Sequence, residues 1–215
     1  MSMKVRTGTR QSKAVWGTHM KVIGITGGVG AGKSKILNYF KEKHGAVVIE
    51  ADKVGHFLME PGGACYYSIV EKFGSSILNG DQTINRGKLG KIVFSDEGLL
   101  GELNKIIHPR VKSHIVSEIA KERAYHRTKY FVVEAALLLE DHYDVICDEL
   151  WYIHTEEGVR TKRLKKTRGY DDEKIASICA NQKSPEEFRS ACQVVIDNSG
   201  ALEDTFRQID EQLGR

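Results

Sequence analysis

The sequence predicts a doubly wound α/β protein, a parallel sheet with helices on both faces. Three observations carry that prediction. Five short apolar runs are separated by segments of helical pattern, the runs are too continuously apolar to have a solvent-facing side, and the first of them breaks into a glycine-rich turn that opens a helix. The first strand is Lys21 to Thr26 (KVIGIT), and its helix runs from Gly32 to about Lys43. The second strand is Ala46 to Glu50, the third Tyr130 to Glu134, the fourth Glu149 to His154, and a fifth run, QVVID, ends at Asp197. Helices are expected from Asp96 to Lys121 and from Thr155 to Lys166. A further helix start is marked by Ser184-Pro185-Glu186-Glu187, with a capping Ser, Pro at the first helical position and Glu three residues after the cap.

Two intervals exceed a minimal crossover: the 79 residues from Ala51 to Lys129, mostly helical, and the charged stretch from Lys165 to Ser190. Insertions of this kind hold substrates or move as lids.

Composition narrows the function. The 215 residues are 28% charged and 40% hydrophobic, the profile of a globular protein. The net charge of +3 suggests nucleic acid until its placement is considered. Lys4, Arg6, Arg10 and Lys13 lie before Met20 with no acidic residue among them, leaving residues 20–215 with 28 basic and 29 acidic groups. The expectation is a leader or cloning-derived, disordered tail at 1–19, a functional start at Met20, and no nucleic-acid partner. No run approaches the roughly 18 apolar residues of a membrane span, so a cytoplasmic protein without a membrane partner is expected. Cys65, Cys147, Cys179 and Cys192 include no CxxC pair and are expected to be reduced thiols.

Gly27 to Ser34 (GGVGAGKS) satisfies GxxxxGK(S/T) between a strand and a helix. In such a loop Gly28, Val29, Gly30, Ala31 and Gly32 turn backbone N–H groups toward a polyphosphate, Lys33 reaches the β- and γ-phosphates, and Ser34 offers its hydroxyl to Mg²⁺. The fold class becomes that of the P-loop nucleoside triphosphate hydrolases, nucleotide-kinase-like. A GTPase is disfavoured. Asp52-Lys53-Val54-Gly55 matches DxxG, but no NKxD motif exists, and Asn181-Gln182-Lys183-Ser184 fails at two positions.

The second strand runs into Asp52, which places a carboxylate at the sheet edge where ligands of open α/β folds bind. It would orient an acceptor hydroxyl and take its proton, or it would merely cap the helix that follows.

These residues resemble the dephospho-coenzyme A kinases from Lys21 to about Leu213. The likeness rests on GITGGVGAGKS, VIEAD, EPGG at Glu60 to Gly63, RGKLGKIVF with His108-Pro109, EAALLLE at Glu134 to Glu140, and VIDNSG at Val195 to Gly200. The resemblance implies transfer of the γ-phosphoryl of ATP to the 3′-hydroxyl of dephospho-CoA, giving CoA and ADP. It also implies a five-stranded parallel core at 20–52, 130–160 and 190–215, a helical CoA insertion at about 53–129 and a lid at about 161–189. Asp52, Lys33 and Arg163 are then the catalytic residues, and Arg163, Arg168 and Asn198 join the loop in binding ATP. Asp52, His108, Arg110 and Glu134 meet the substrate, and Ser34 holds Mg²⁺, with Glu134 acting through water. His108-Pro109 reads equally well as the end of a helix.

Arg160, Lys162, Arg163, Lys165, Lys166 and Arg168 put six positive charges into nine residues, as an exposed helix face, a nucleic-acid patch or the family's phosphate-gripping lid. The family's lid arginines stand four apart, whereas Arg163 and Arg168 stand five apart, with Gly169 placed to end the helix. Glu50 replaces an Asp, the third-strand motif lacks its proline at Ala136, Ile178 stands where an Arg is usual before the later Gln (Gln182), and Cys192 replaces an Asp. The remaining alternatives are another P-loop small-molecule or nucleoside kinase and a non-catalytic CoA- or ATP-binding protein. A monomer or weak homo-oligomer is expected.

Overall fold

The structure, a computed structural model, describes residues 20–214; the expected tail at 1–19 lies outside the described residues. Five parallel strands form one sheet in the order β2-β3-β1-β4-β5. They are β1 (Lys21–Thr26), β2 (Val47–Glu50), β3 (Tyr130–Glu134), β4 (Glu149–His154) and β5 (Val194–Asp197). All five predicted runs form strands, β2 and β5 starting one residue later than the sequence pattern suggests.

Alternation along the strands assigns the two layers. Ile23, Ile25, Val132, Trp151, Ile153 and Ile196 pack with Ile36 and Phe40 of α1 (Lys33–His44) and Ile209 of α9 (Leu202–Leu213). The other face presents Val22, Phe131, Val133, Leu150 and Tyr152 to α2 (Ala51–Leu58), α5 (Glu97–Tyr125) and α8 (Pro185–Ala191). Each fully buried Ile or Phe in these layers contributes about 1.5–3 kcal/mol of transfer free energy. The layers fix the strands so that their carboxyl ends lie along one rim of the sheet.

The interval after β2 holds α2, α3 (Tyr66–Phe73), α4 (Arg86–Val93) and α5, and the interval after β4 holds α6 (Glu157–Arg168), α7 (Asp172–Ala180) and α8. The 29-residue α5 starts after its Asp96 cap, whose carboxylate accepts from the Gly98 and Leu99 amides, and continues through Pro109. His108-Pro109 is therefore not a helix end. Proline removes one backbone bond, at about 3 kcal/mol, and packing of Val111, Ile115 and Ile119 into the core carries the helix across. At α8 the Ser184 hydroxyl and Glu187 carboxylate exchange hydrogen bonds with each other's backbone amides, as the motif predicts. All four cysteines are free thiols, and among the described residues no helix is long and apolar enough to cross a membrane.

Candidate active site

Residues 27–32 link the end of β1, the central strand, to α1. Two glycines are demanded by geometry. Gly30 (φ 83°) and Gly32 (φ 85°) lie in the left-handed region, which costs other residues about 1–2 kcal/mol. A Cβ at Gly30 would stand 2.9 Å from Leu164 Cγ, and one at Gly32 would collide with the Asn198 amide. The loop is braced from behind. The Ala31 carbonyl accepts from Asn198 Nδ2 (2.6 Å) and Thr155 Oγ1 (3.1 Å), while Asn198 Oδ1 accepts from Thr205 Oγ1 (3.0 Å). Asn198 is 1% exposed, so these bonds are shielded from water.

Lys33 Nζ donates to the Gly27 carbonyl (2.6 Å) and lies 3.4 Å from Glu134 Oε1 at the end of β3. Burial holds the Glu134 carboxyl above its ordinary pKa, the Lys33 ammonium opposes that rise, and the Asp52 charge adds to it. Arg163 Nη2 donates to the Asn198 carbonyl (2.9 Å). Its Nη1 is buried without a partner and stands 3.3 Å from where a Gly32 Cβ would be. A buried guanidinium N–H facing this loop is chemically matched to a phosphate oxygen.

A cleft of about 560 Å³ is lined by Gly28 to Lys35, Glu50, Asp52, Glu134, Arg163, Arg168 and Asn198, within the range for nucleotide-sized ligands. Beside it lies a largely apolar cavity of about 190 Å³, walled by Met59, Ile107, Val111, Leu137 and Tyr143, with Asp52, His56, His108 and Asp141 as polar groups. Burial first, then the charges of Asp141, Cys147 and Asp52, push the Tyr143 hydroxyl up to about 12, so it stays protonated.

Asp52 lines both cavities. It is exposed in the first turn of α2, where Glu50 occupies the cap position without a side-chain cap bond, and among the described residues no side chain pairs with it. The capping alternative for Asp52 is not what the geometry shows.

The structure gathers Gly28 to Ser34, Asp52, Glu134, Arg163, Arg168 and Asn198 around one cleft, and puts His108 on the adjoining cavity with Nδ1 2.9 Å from Asp141 Oδ1. Arg110 is not brought there. Its Nη1 donates to the Ile106 carbonyl (2.9 Å) and its Nη2 to Ser68 Oγ (3.2 Å), away from both cavities. Arg168 is exposed at the end of α6, and Thr167, four residues after Arg163, lines the cleft as well. Thr155 and Asp141 had no motif to signal them. Arg160 was visible only as one member of the basic cluster.

A phosphate loop alone binds nucleotide; an acceptor pocket sharing a carboxylate with that cleft is what a phosphotransferase adds. Fold and cleft together define a P-loop small-molecule kinase. Residues 21–204 match the family model for dephospho-CoA kinase, and the chain belongs to that family, ATP-dependent kinases of the last step of coenzyme A biosynthesis. It is 37% identical over 191 residues to the dephospho-CoA kinase of Carboxydothermus hydrogenoformans, covering 88% of this chain and 91% of the relative. It is 34% identical over 191 residues to that of Lactobacillus johnsonii, covering 89% and 96%. Among solved structures, a dephospho-CoA kinase from Campylobacter jejuni shares the fold with a TM-score of 0.68 at 21% identity, covering 90% of this chain and 95% of the other.

Proposed function

We propose that this protein transfers the γ-phosphoryl group of ATP to the ribose 3′-hydroxyl of dephospho-CoA, giving CoA and ADP. The observation that carries the reading is the position of Asp52, shared by the loop cleft and the apolar cavity and without a side-chain partner among the described residues. With ATP on the loop and the acceptor in the cavity, the Asp52 carboxylate orients the 3′-hydroxyl and receives its proton. The acceptor oxygen bonds to Pγ as the bond from Pγ to the bridging oxygen breaks, and ADP leaves. In a loose phosphoryl-transfer transition state, positioning and charge stabilisation outweigh early deprotonation. Lys33 and Arg163 are suited to hold the β- and γ-oxygens, and Asn198 to keep the loop in shape.

Ser34 and Glu134 place oxygen donors around the same cleft, and among the described residues no cluster of three or more His, Cys, Asp or Glu is arranged to hold a metal alone. That donor set fits Mg²⁺, which keeps phosphate and water oxygens in its shell. Bound there, Mg²⁺ would neutralise charge on the transferring phosphate. Helices α2 to α5 would form the acceptor domain and α6 to α8 the lid, although α6 is a continuous helix across the 160/161 boundary. The proposed partners are the two substrates, in the cytoplasm, for a monomer or weak homo-oligomer.

Incubation with ATP, Mg²⁺ and dephospho-CoA should yield CoA and ADP in equal amounts by chromatography. ATP turnover that requires some other alcohol, with none on dephospho-CoA, would overturn the proposal.

A further inference from the structure

The phosphate loop is held on its other flank by two side chains that no motif singles out as a pair. The Arg160 guanidinium lies flat against Gly28, where a Cβ would stand 2.5–2.9 Å from its Nη2, Cζ and Nη1. Its Nε donates to the Val29 carbonyl (3.1 Å), and its Nη2 donates to Gln182 Oε1 (2.8 Å). That same oxygen accepts the Val29 amide (3.3 Å). Both polar groups of the Val29 residue are therefore occupied, one by α6 and one by the segment that follows α7, so the Val29 N–H, expected from the motif to face the polyphosphate, donates to Gln182 instead. Arg163 reaches the opposite flank, and Leu164 packs beneath Gly30. Residues spaced i, i+3 and i+4 on one helix thus touch three successive parts of the loop.

We propose that Arg160 and Gln182 form a latch that fixes the Val29 corner of the loop in its phosphate-gripping shape and ties that shape to the segment after α7. Arg160 is a positioning residue. With Val29 restrained, the neighbouring N–H groups keep their aim at the polyphosphate and nucleotide binding carries less ordering entropy. Gln182 serves as the hinge pin, because one oxygen accepts from both partners. A lysine at position 160 has a single terminal charge and cannot reproduce two donors in a fixed fork.

The inference rests on the loop binding a nucleoside polyphosphate, so ADP binding to the wild-type protein is measured first, by calorimetry, with Mg²⁺ and no acceptor. Charged hydrogen bonds of this kind are worth roughly tenfold or more in an equilibrium. Arg160→Ala and Gln182→Ala should each weaken ADP binding about tenfold and raise KM for ATP by a similar factor, with kcat falling less. The double variant should be no weaker than the worse single one, since either substitution opens the latch. Gln182→Glu, which keeps an acceptor for both N–H groups, should stay within about threefold of wild type. Gln182→Ala and Arg160→Lys carry the test should Arg160→Ala not fold. Wild-type ADP affinity in these variants, or losses that multiply in the double variant, would overturn the latch while leaving the kinase reading intact. Failure of the wild-type protein to bind ADP would overturn both.

Discussion

Asp52→Asn separates chemistry from binding and from folding, because the structure assigns each a different consequence. The substitution keeps shape and removes the proton acceptor. Loss of a general base costs about 10²–10⁴ in rate. Because a loose transition state lowers the demand for deprotonation, about a hundredfold fall in kcat is expected, or about 2.7 kcal/mol. KM for ATP should stay within about threefold, since Asp52 makes no bond to the phosphate loop. Stability should change by no more than about 0.5 kcal/mol, because the side chain is exposed and unpaired. Removing its charge also withdraws one of the influences that raise the Glu134 carboxyl, which should titrate lower in the variant. Coupled-assay kinetics give kcat and KM, and urea unfolding gives stability. An unchanged kcat, or a loss of rate matched by a loss of stability, would refute the assignment of Asp52 as the base.

Asn198→Ala deletes the Ala31 brace and the acceptor of Thr205; at about 1 kcal/mol per bond, urea unfolding should show a loss of about 2–3 kcal/mol, with weaker ADP binding. Glu134 has a raised pKa in the folded protein, so it favours folding below its unfolded value and forfeits that stability as pH climbs through the raised one. Glu134→Gln should therefore gain stability over wild type as pH rises above the ordinary carboxylate range, by urea midpoints, while kcat falls; the wild-type pH slope in the variant would contradict a penalised charge. Burial pushes the Cys147 thiol up to about 12 and Cys192 up to about 11. At pH 8, iodoacetamide should leave both unmodified in the native protein and label them after denaturation, as read by peptide mass spectrometry.

The strands and the loop were legible because each depends on local pattern. Continuous apolar runs with no polar face make buried parallel strands, and the loop's glycines, lysine and serine lie within eight consecutive residues. What escaped was set by long-range packing. Arg110 is only two residues from His108, yet their side chains leave α5 in different directions, one toward Ser68 and the other toward Asp141. Asp141 is 33 residues from the histidine it meets, and Thr155 is 124 from the carbonyl it braces. No periodicity encodes such meetings.

The basic cluster on α6 shows how charge and function separate. Six cations in nine residues cannot be assigned by counting, but helical phase divides them. At about 100° per residue, positions 160, 163, 164, 167 and 168 fall within about 140° of arc, while 162, 165 and 166 fall opposite. The first arc carries Arg160 and Arg163, each bound to backbone of the loop or its brace, and the buried Leu164 on the other side of Arg160 from Arg163. On the second arc, Lys162, Lys165 and Lys166 are exposed, and Lys165 pairs with Asp172. Arginine fills the inward positions because its planar fork satisfies several acceptors at once, whereas a lysine buried there would leave donors unmet. A substitution series follows from the phase alone: neutralising Lys162 or Lys166 should leave KM for ATP within about twofold, as expected for exposed charges, while neutralising Arg163 should raise it tenfold or more, since its unpartnered Nη1 faces the loop. Equal effects on both arcs would mean that the helix acts through net charge rather than through placement.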